Sequence, residues 1–278
     1  MTDPSATETI TSAANPRVRH AAALRDSAAR RATGLTLVDG RRELSRALAA
    51  GVPVEEVFVT ADRRADDAPF LADLAARGTP LTRLAERPFE KVAFGSRDEG
   101  VVGVVRFGPR PLAAVAFAAD RPVLVAEGVE KPGNLGAIIR TADAAGLAGV
   151  IVCDAATDVA NPAVIRASLG TVFSVPVATA TAAETLAWLG NERRRAIAAD
   201  PEGALLWHES RLAGATALVL GSEARGLSPA WAAAAREAAI DLVTVRLPMH
   251  GAADSLNVSA TAAVLAYEAL RQAGAAHG

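Results

Sequence analysis

Residues 242–271 read LVTVRLPMHGAADSLNVSATAAVLAYEALR, and this stretch decides the fold. Leu242 to Leu247 is rich in β-branched and apolar residues, the composition of a strand. Pro248, Gly251 and Asp254 break the pattern and make a loop. From about Ser255 to Gln272 the apolar residues return at helical spacing, so a long helix follows. A strand that hands over to a helix through a short loop is the repeating unit of a parallel sheet. Ser255 and Asn257 flank Leu256 where the helix begins. Small hydroxyl and amide side chains at such a place cap orphan backbone N–H groups. The other reading is that they face a ligand.

The alternation extends upstream. Strands are expected at 123–126, 149–153, 173–177, 196–199 and 216–220, and helices at 133–145, 162–169, 182–190 and 229–238. Ligands on sheets of this kind sit at the carboxyl ends of the strands. Nearer the start, strands at 35–38, 54–60, 81–84 and 101–107 alternate with helices from about 41 to 50, 67–77 and 86–93, which predicts a separate small α/β sandwich. Residues 1–14 are small and polar and are expected to be a disordered tail. The domains are then 15–107 and 121–278, joined by a linker over 108–120 that contains Gly108-Pro-Arg-Pro111. Within it, the apolar run from 112 to 119 reads as a linker helix or a packing segment.

The chain has 278 residues, 51% hydrophobic and 22% charged, which suits one or two globular domains and not a disordered chain. No apolar run is long enough for a membrane span. The opening MTDPSATETITSAANP lacks the basic-then-apolar plan of a signal peptide, so the expected compartment is the cytoplasm. One cysteine, Cys153, excludes an internal disulfide framework and a Cys-based zinc site. His20, His208 and His277 show no metal-ligand spacing, His250 reads as a solvated loop residue, and no metal is expected. The formal net charge of −2 counts mildly against a nucleic-acid partner. Residues 15–46 are locally basic, however, and almost all positive charge is Arg, with Lys only at 91 and 131.

Two further stretches carry chemistry. The first is Lys131-Pro-Gly-Asn134-Leu-Gly-Ala-Ile-Ile-Arg140-Thr-Ala-Asp-Ala-Ala-Gly146. Asn134 lies at a strand-to-helix junction between Gly133 and Gly136, where it is either a cap or part of a site. Arg140 stands in a helix otherwise built of small and apolar residues, either as a surface cation or as a catalytic one. The second is Leu218-Val-Leu220-Gly221-Ser-Glu223-Ala-Arg-Gly226-Leu-Ser228. Gly221 and Gly226 bracket Glu223 in a tight loop whose backbone can approach a ligand. No G-x-G-x-x-G fingerprint, P-loop or G-x-S-x-G elbow is present, which argues against a nicotinamide dehydrogenase, a nucleotide hydrolase and a serine hydrolase.

Taken in order with Leu247-Pro-Met249 and Ser255-Leu-Asn257, these stretches resemble the three motifs of the SpoU (TrmH) family. That resemblance implies transfer of a methyl group from S-adenosylmethionine to a ribose 2′-hydroxyl of RNA. It implies a C-terminal parallel-sheet SPOUT domain tied in a trefoil knot, and a homodimer. Asn134, Arg140, Glu223, Ser255 and Asn257 would form the catalytic group, and Leu220, Gly221, Leu247, Met249 and Leu256 the donor pocket. The N-terminal half is similar to the L30e-like substrate-binding domain found in the family. The match runs through Ser12 to Arg19, the Arg30-Arg31 pair and Val38-Asp-Gly-Arg-Arg42, although the glycine here follows Asp39 where the family usually has glutamate. Arg17, Arg30, Arg31 and Arg41 are the candidates for RNA contact, set against a solvated helix face. The two-domain layout points to 23S rRNA; a tRNA methyltransferase and a non-catalytic RNA-binding protein are the alternatives.

Overall fold

The computed structural model describes residues 9–61, 68–93 and 100–275, so most of the expected tail, the start of the helix placed at 67, and His277 lie outside the described residues. The chain divides into two compact units. One holds the chain up to Gly108 together with Val159–Ser174, and the other holds Pro109–Asp158 and the chain from Val175 onward.

The first unit begins with α1 (Pro16–Ala23) and α2 (Ser27–Thr33). Both start where a side chain closes the first turn: the Asn15 amide oxygen accepts the Arg17 N–H at 2.9 Å, and the Asp26 carboxylate accepts the Ala28 N–H at 2.6 Å. There follow β1 (Leu35–Asp39), α3 (Arg41–Ala49), β2 (Val54–Thr60), α4 (Ala68–Ala76), β3 (Leu81–Leu84), α5 (Glu86–Val92) and β4 (Val101–Arg106). The sheet order is β1-β4-β2-β3, with β4 antiparallel to both neighbours and β2 parallel to β3. Val18, Leu37, Phe58, Leu84, Phe89 and Val102 form its core. The returning segment is tied in by Thr36 donating to the Ala160 carbonyl at 2.5 Å and Arg46 to the Leu169 carbonyl at 2.7 Å. An ion pair joins Arg166 and Asp39 at 3.6 Å, and Phe107 meets Phe173 edge-on at 4.8 Å.

The second unit contains β5 (Val123–Glu127), α6 (Pro132–Ala144) and β6 (Gly149–Cys153). The chain then leaves for α7 (Pro162–Ala167) in the first unit and returns as β7 (Val177–Ala180), α8 (Ala182–Asn191), β8 (Arg195–Ala199), β9 (Leu205–Leu206), β10 (Thr216–Leu220), α9 (Pro229–Arg236), β11 (Leu242–Arg246) and α10 (Val258–Ala275). The strands pair in the order β7-β6-β5-β10-β8-β11-β9, and every pairing is parallel. Every residue of β5, β6 and β10 is buried, as expected for central strands covered on both faces. Ile151, Val219 and Trp231 lie in the core cluster on one side of this sheet. No helix among the described residues is long and apolar enough to cross a membrane.

Several local expectations shift. The last helix starts at Val258 and not at Ser255, because the Asn257 amide oxygen takes the Ser259 N–H at 2.9 Å and so fixes the cap there. The strand expected at 173–177 moves to 177–180, since Thr171–Phe173 curls into a 3-10 turn. The run from 112 forms only a 3-10 turn, Leu112–Ala114. The expected unbroken second domain over 121–278 meets a chain in which Val159–Ser174 packs with the other unit, drawn there by the contacts just named.

Cys153 ends β6 fully buried. Burial pushes its thiol from 9.0 up to about 12; Thr185 opposes this through a hydrogen bond, and the carboxylates of Glu127 and Asp154 add to it. The folded state therefore holds this proton more tightly than the unfolded chain. The stability from the neutral thiol is fully present below pH 9 and is lost as pH rises from 9 toward 12. Cys153→Ala is expected to flatten the decline in melting temperature over that window, measured by calorimetry at stepped pH. An identical decline in the variant would show that Cys153 is not its source.

Candidate active site

Parallel pairing brings the carboxyl ends of β8, β10 and β11 to one edge of the sheet, and the loops that leave them meet there. With the start of α10 they enclose a cavity of about 390 Å³. Leu220, Gly221, Leu247, Met249 and Leu256, singled out from sequence, all line it, as do Glu223, Ser255 and Asn257. Its walls also include Ala199, Asp200 and Pro201 from the end of β8, and Ser222, Asp254 and Thr261. Sequence reasoning missed the β8 group. The usable signal was position, since an Asp-Pro step directly after a central strand falls where ligands bind.

The loop after β10 is closed on itself. Ser222 and Gly226 exchange both backbone hydrogen bonds, each at 3.0 Å, and the Ser222 hydroxyl accepts the Arg225 N–H at 3.1 Å. Gly221 permits this closure: a Cβ there would stand 2.3 Å from the Gly226 carbonyl carbon. Gly226 itself has a φ of 65°, in the left-handed region.

Asn134 joins this loop to the last helix. Its amide nitrogen donates to Glu223 Oε1 at 2.5 Å, and its amide oxygen accepts from Asn257 Nδ2 at 3.2 Å. Asn257 in turn accepts the Ser259 N–H and hydroxyl at 2.9 and 2.7 Å. The result is one polar chain from Glu223 to the N-terminus of α10. Asn134 reaches it from the first turn of α6, where Lys131 is the cap residue and Pro132 the first helical residue.

Arg140 does not join this group. It lies six residues beyond Asn134 in α6, about 9 Å along the axis at the usual helical rise, exposed and with no hydrogen bond or ion pair among the described residues. Ser255 is at the cavity wall and exposed, and it is not the cap of α10.

The N-terminal arginines differ from one another. Arg17 bonds Glu56 and Thr82. Arg30 is only 5% exposed and donates to the carbonyls of Leu24 and Arg25 at 2.9 and 2.8 Å, so its guanidinium is turned inward and closes the α1–α2 corner; it is not placed for a phosphate contact. Arg31 and Arg41 face solvent.

Residues 121–267 match the model of the SpoU rRNA Methylase family, and residues 15–103 that of an MRM3-like substrate binding domain. The chain belongs to the SpoU rRNA methylase family. It is 32% identical to the 23S rRNA (adenosine(1067)-2′-O)-methyltransferase of Streptomyces laurentii, across 85% of this chain and 86% of that protein. It is 29% identical to the 23S rRNA (guanosine(2553)-2′-O)-methyltransferase RlmP of Bacillus subtilis, across 93% and 97%. Among solved structures it is similar to an RNA 2′-O ribose methyltransferase, with a TM-score of 0.83, 37% identity and coverage of 96% and 99%. It is also similar to the SpoU methyltransferase AviRb of Streptomyces viridochromogenes in complex with AdoMet, with a TM-score of 0.81, 30% identity and coverage of 94% and 100%.

Gly221 in the loop and Gly133 in α6 make opposite predictions. Gly221→Ala forces a methyl into the Gly226 backbone and is expected to destabilise by about 1–3 kcal/mol, lowering the melting temperature by several degrees. In Gly133→Ala the added methyl meets nothing within 4 Å, and a helical Gly→Ala change is neutral to stabilising. Thermal unfolding of the pair checks both; equal melting temperatures would remove the close approach at Gly221.

Proposed function

We propose that this protein methylates a ribose 2′-hydroxyl of 23S rRNA, with S-adenosylmethionine as methyl donor. The observation that carries the reading is the hydrogen-bonded line Glu223–Asn134–Asn257 beside the 390 Å³ cavity, which unites residues from three distant stretches. The cavity lies within the roughly 300–1,000 Å³ of small-molecule sites. Its chemistry suits the donor: Leu220, Leu247, Met249 and Leu256 give apolar wall to a flat base, the glycine-bounded loop offers backbone groups, and the lining carboxylates Asp200, Glu223 and Asp254 favour a cationic ligand. When bound, the donor supplies a methyl group activated by its sulfonium sulfur.

The remaining work falls to this chain's side chains. A ribose hydroxyl is a weak acid, so it must be held in line, its developing negative charge met by a cation, and its proton passed to the RNA phosphate or to water as the methyl leaves the sulfonium sulfur. We assign that role to Arg140, whose guanidinium has no partner among the described residues and can hold an RNA phosphate and the forming alkoxide. Glu223, Asn134 and Asn257 keep the wall of the cavity fixed, and Ser255 offers a hydroxyl at its rim. Relatives carry adenosine, uridine and guanosine in their names, so the ribose, and not one particular base, is the target common to them. Arg31 and Arg41 are assigned to phosphate contact, which adds affinity and salt dependence without base readout. A cytoplasmic site follows from an rRNA substrate.

We further assign a homodimer and a trefoil-knotted second unit. The dimer is supported by α10, which packs against α6 and leaves Tyr267 and Leu270 at 52% and 45% exposure. With Ala260 and Ala263 these recur every three or four residues, forming an apolar stripe on one helix face. A second copy that covered this stripe would approach the α6–α10 pair that carries Arg140. The knot is supported by the order of the three motifs and by the return of α10 onto α6 and β10.

Methyl transfer from labelled S-adenosylmethionine to 23S rRNA and to tRNA tests the function. Label is expected in 23S rRNA at a ribose, and Arg140→Ala is expected to lose about 100-fold or more in rate while donor affinity is retained. Full activity in that variant would remove Arg140 from the mechanism; label confined to tRNA would overturn the substrate. Scattering mass at micromolar concentration should give a dimer, and Tyr267→Glu with Leu270→Glu a monomer. A monomeric wild type would sink the dimer assignment.

A further inference from the structure

The loop that carries Glu223 borders two hollows. One is the cavity already described; the other, of about 330 Å³, is lined by Glu127, Gly128, Asp154, Ser222, Arg225 and Ser228 among others. Ser222 and Gly226 line both hollows. Residues 223–226 are exposed, so little packing fixes this loop and its position depends on its hydrogen bonds. Two of these tethers are described above: the Ser222–Gly226 closure and the Asn134–Glu223 bond.

The third is Glu127, which ends β5 and is 4% exposed. Its two carboxylate oxygens take the Ser228 hydroxyl at 2.7 Å and the Ser228 N–H at 2.8 Å, across 101 positions of sequence. Ser228 is the N-cap of α9, yet its side chain makes no capping hydrogen bond to that helix. The hydroxyl that would close the first turn is directed to Glu127 instead. A buried carboxylate without a paired cation is costly; two donors at a helix N-terminus offset that cost. Local helix stability and desolvation are both conceded for one contact at the exit of the loop.

We infer that Glu127 is a positioning residue of the methyl-transfer site: by clamping Ser228 it fixes the loop that presents Glu223 to the cavity. It touches no reacting group and acts only through the loop. The inference rests on the methyltransferase reading for its rate effect, but not for its effect on the loop.

The variants are Glu127→Leu, Glu127→Gln and Ser228→Ala, each measured by amide hydrogen exchange and by steady-state methylation of 23S rRNA. In Glu127→Leu, exchange at residues 222–226 should accelerate while β5, β6 and β10 stay protected, and kcat should fall about tenfold or more from the displaced Glu223. Glu127→Gln should recover most of the rate, since its amide can accept the Ser228 N–H and donate to the hydroxyl oxygen. Ser228→Ala, which leaves the buried carboxylate and the backbone bond in place, should show the same local acceleration to a smaller extent, and it decides the matter should Glu127→Leu not fold. Unchanged exchange at 222–226, or faster exchange spread across the whole sheet, would overturn the clamp. So would a Gln variant as slow as the Leu variant. If wild type transfers no methyl group, the functional reading fails, and the exchange data still judge the clamp.

Discussion

One side-chain amide holds together three stretches of chain that share no secondary structure. Asn134 must give a proton to Glu223, which as a carboxylate can only accept, and this fixes which way the amide faces. Its oxygen is then committed to Asn257, whose own oxygen is committed to the start of α10. The polarity of the whole line is thus set at one end. Aspartate at 134 would place a second negative charge against Glu223, and leucine would remove the bonds to Glu223 Oε1 and to the Asn257 amide nitrogen. The side chain at the head of α6 therefore governs the loop after β10 and the last helix together.

That line can exist only because the sheet is parallel. With every strand pointing the same way, the ends of β8, β10 and β11 are neighbours in space although 46 positions separate Ala199 from Val245. The fully buried central strands fix the register, and the register fixes which loop faces which. The cavity follows from topology first and from side chains second.

The parts legible in the sequence were those with local causes. Strand and helix alternation named the architecture, and the glycines on either side of Glu223 marked a loop that comes close to itself. Motif order brought Asn134, Glu223 and Asn257 into one hypothesis before any geometry was in hand. What escaped depended on distance. Asp200 carries no local mark beyond its place after a strand, and Glu127 looks like the ordinary last residue of an apolar run until Ser228 is seen beside it. Arg30 looked like a surface cation because the corner it closes, between α1 and α2, leaves no trace in composition. Sequence alone puts the start of α10 near Ser255, since serine and asparagine are both good caps, and only the bond to Ser259 separates them.

The Val159–Ser174 excursion has a consequence for how such a protein can be taken apart. The chain passes from one unit to the other at 108/109, again at 158/159, and once more at 174/175. Val164, Ile165 and Val172 are at most 2% exposed, and their segment packs with β1 and its neighbours. A cut after Gly108 would therefore not release a free-standing catalytic piece; it would leave an orphaned apolar patch in the middle of it. The N-terminal part cannot be traded like a bead on a string. Any exchange of the substrate module by design has to carry the 159–174 insert with it.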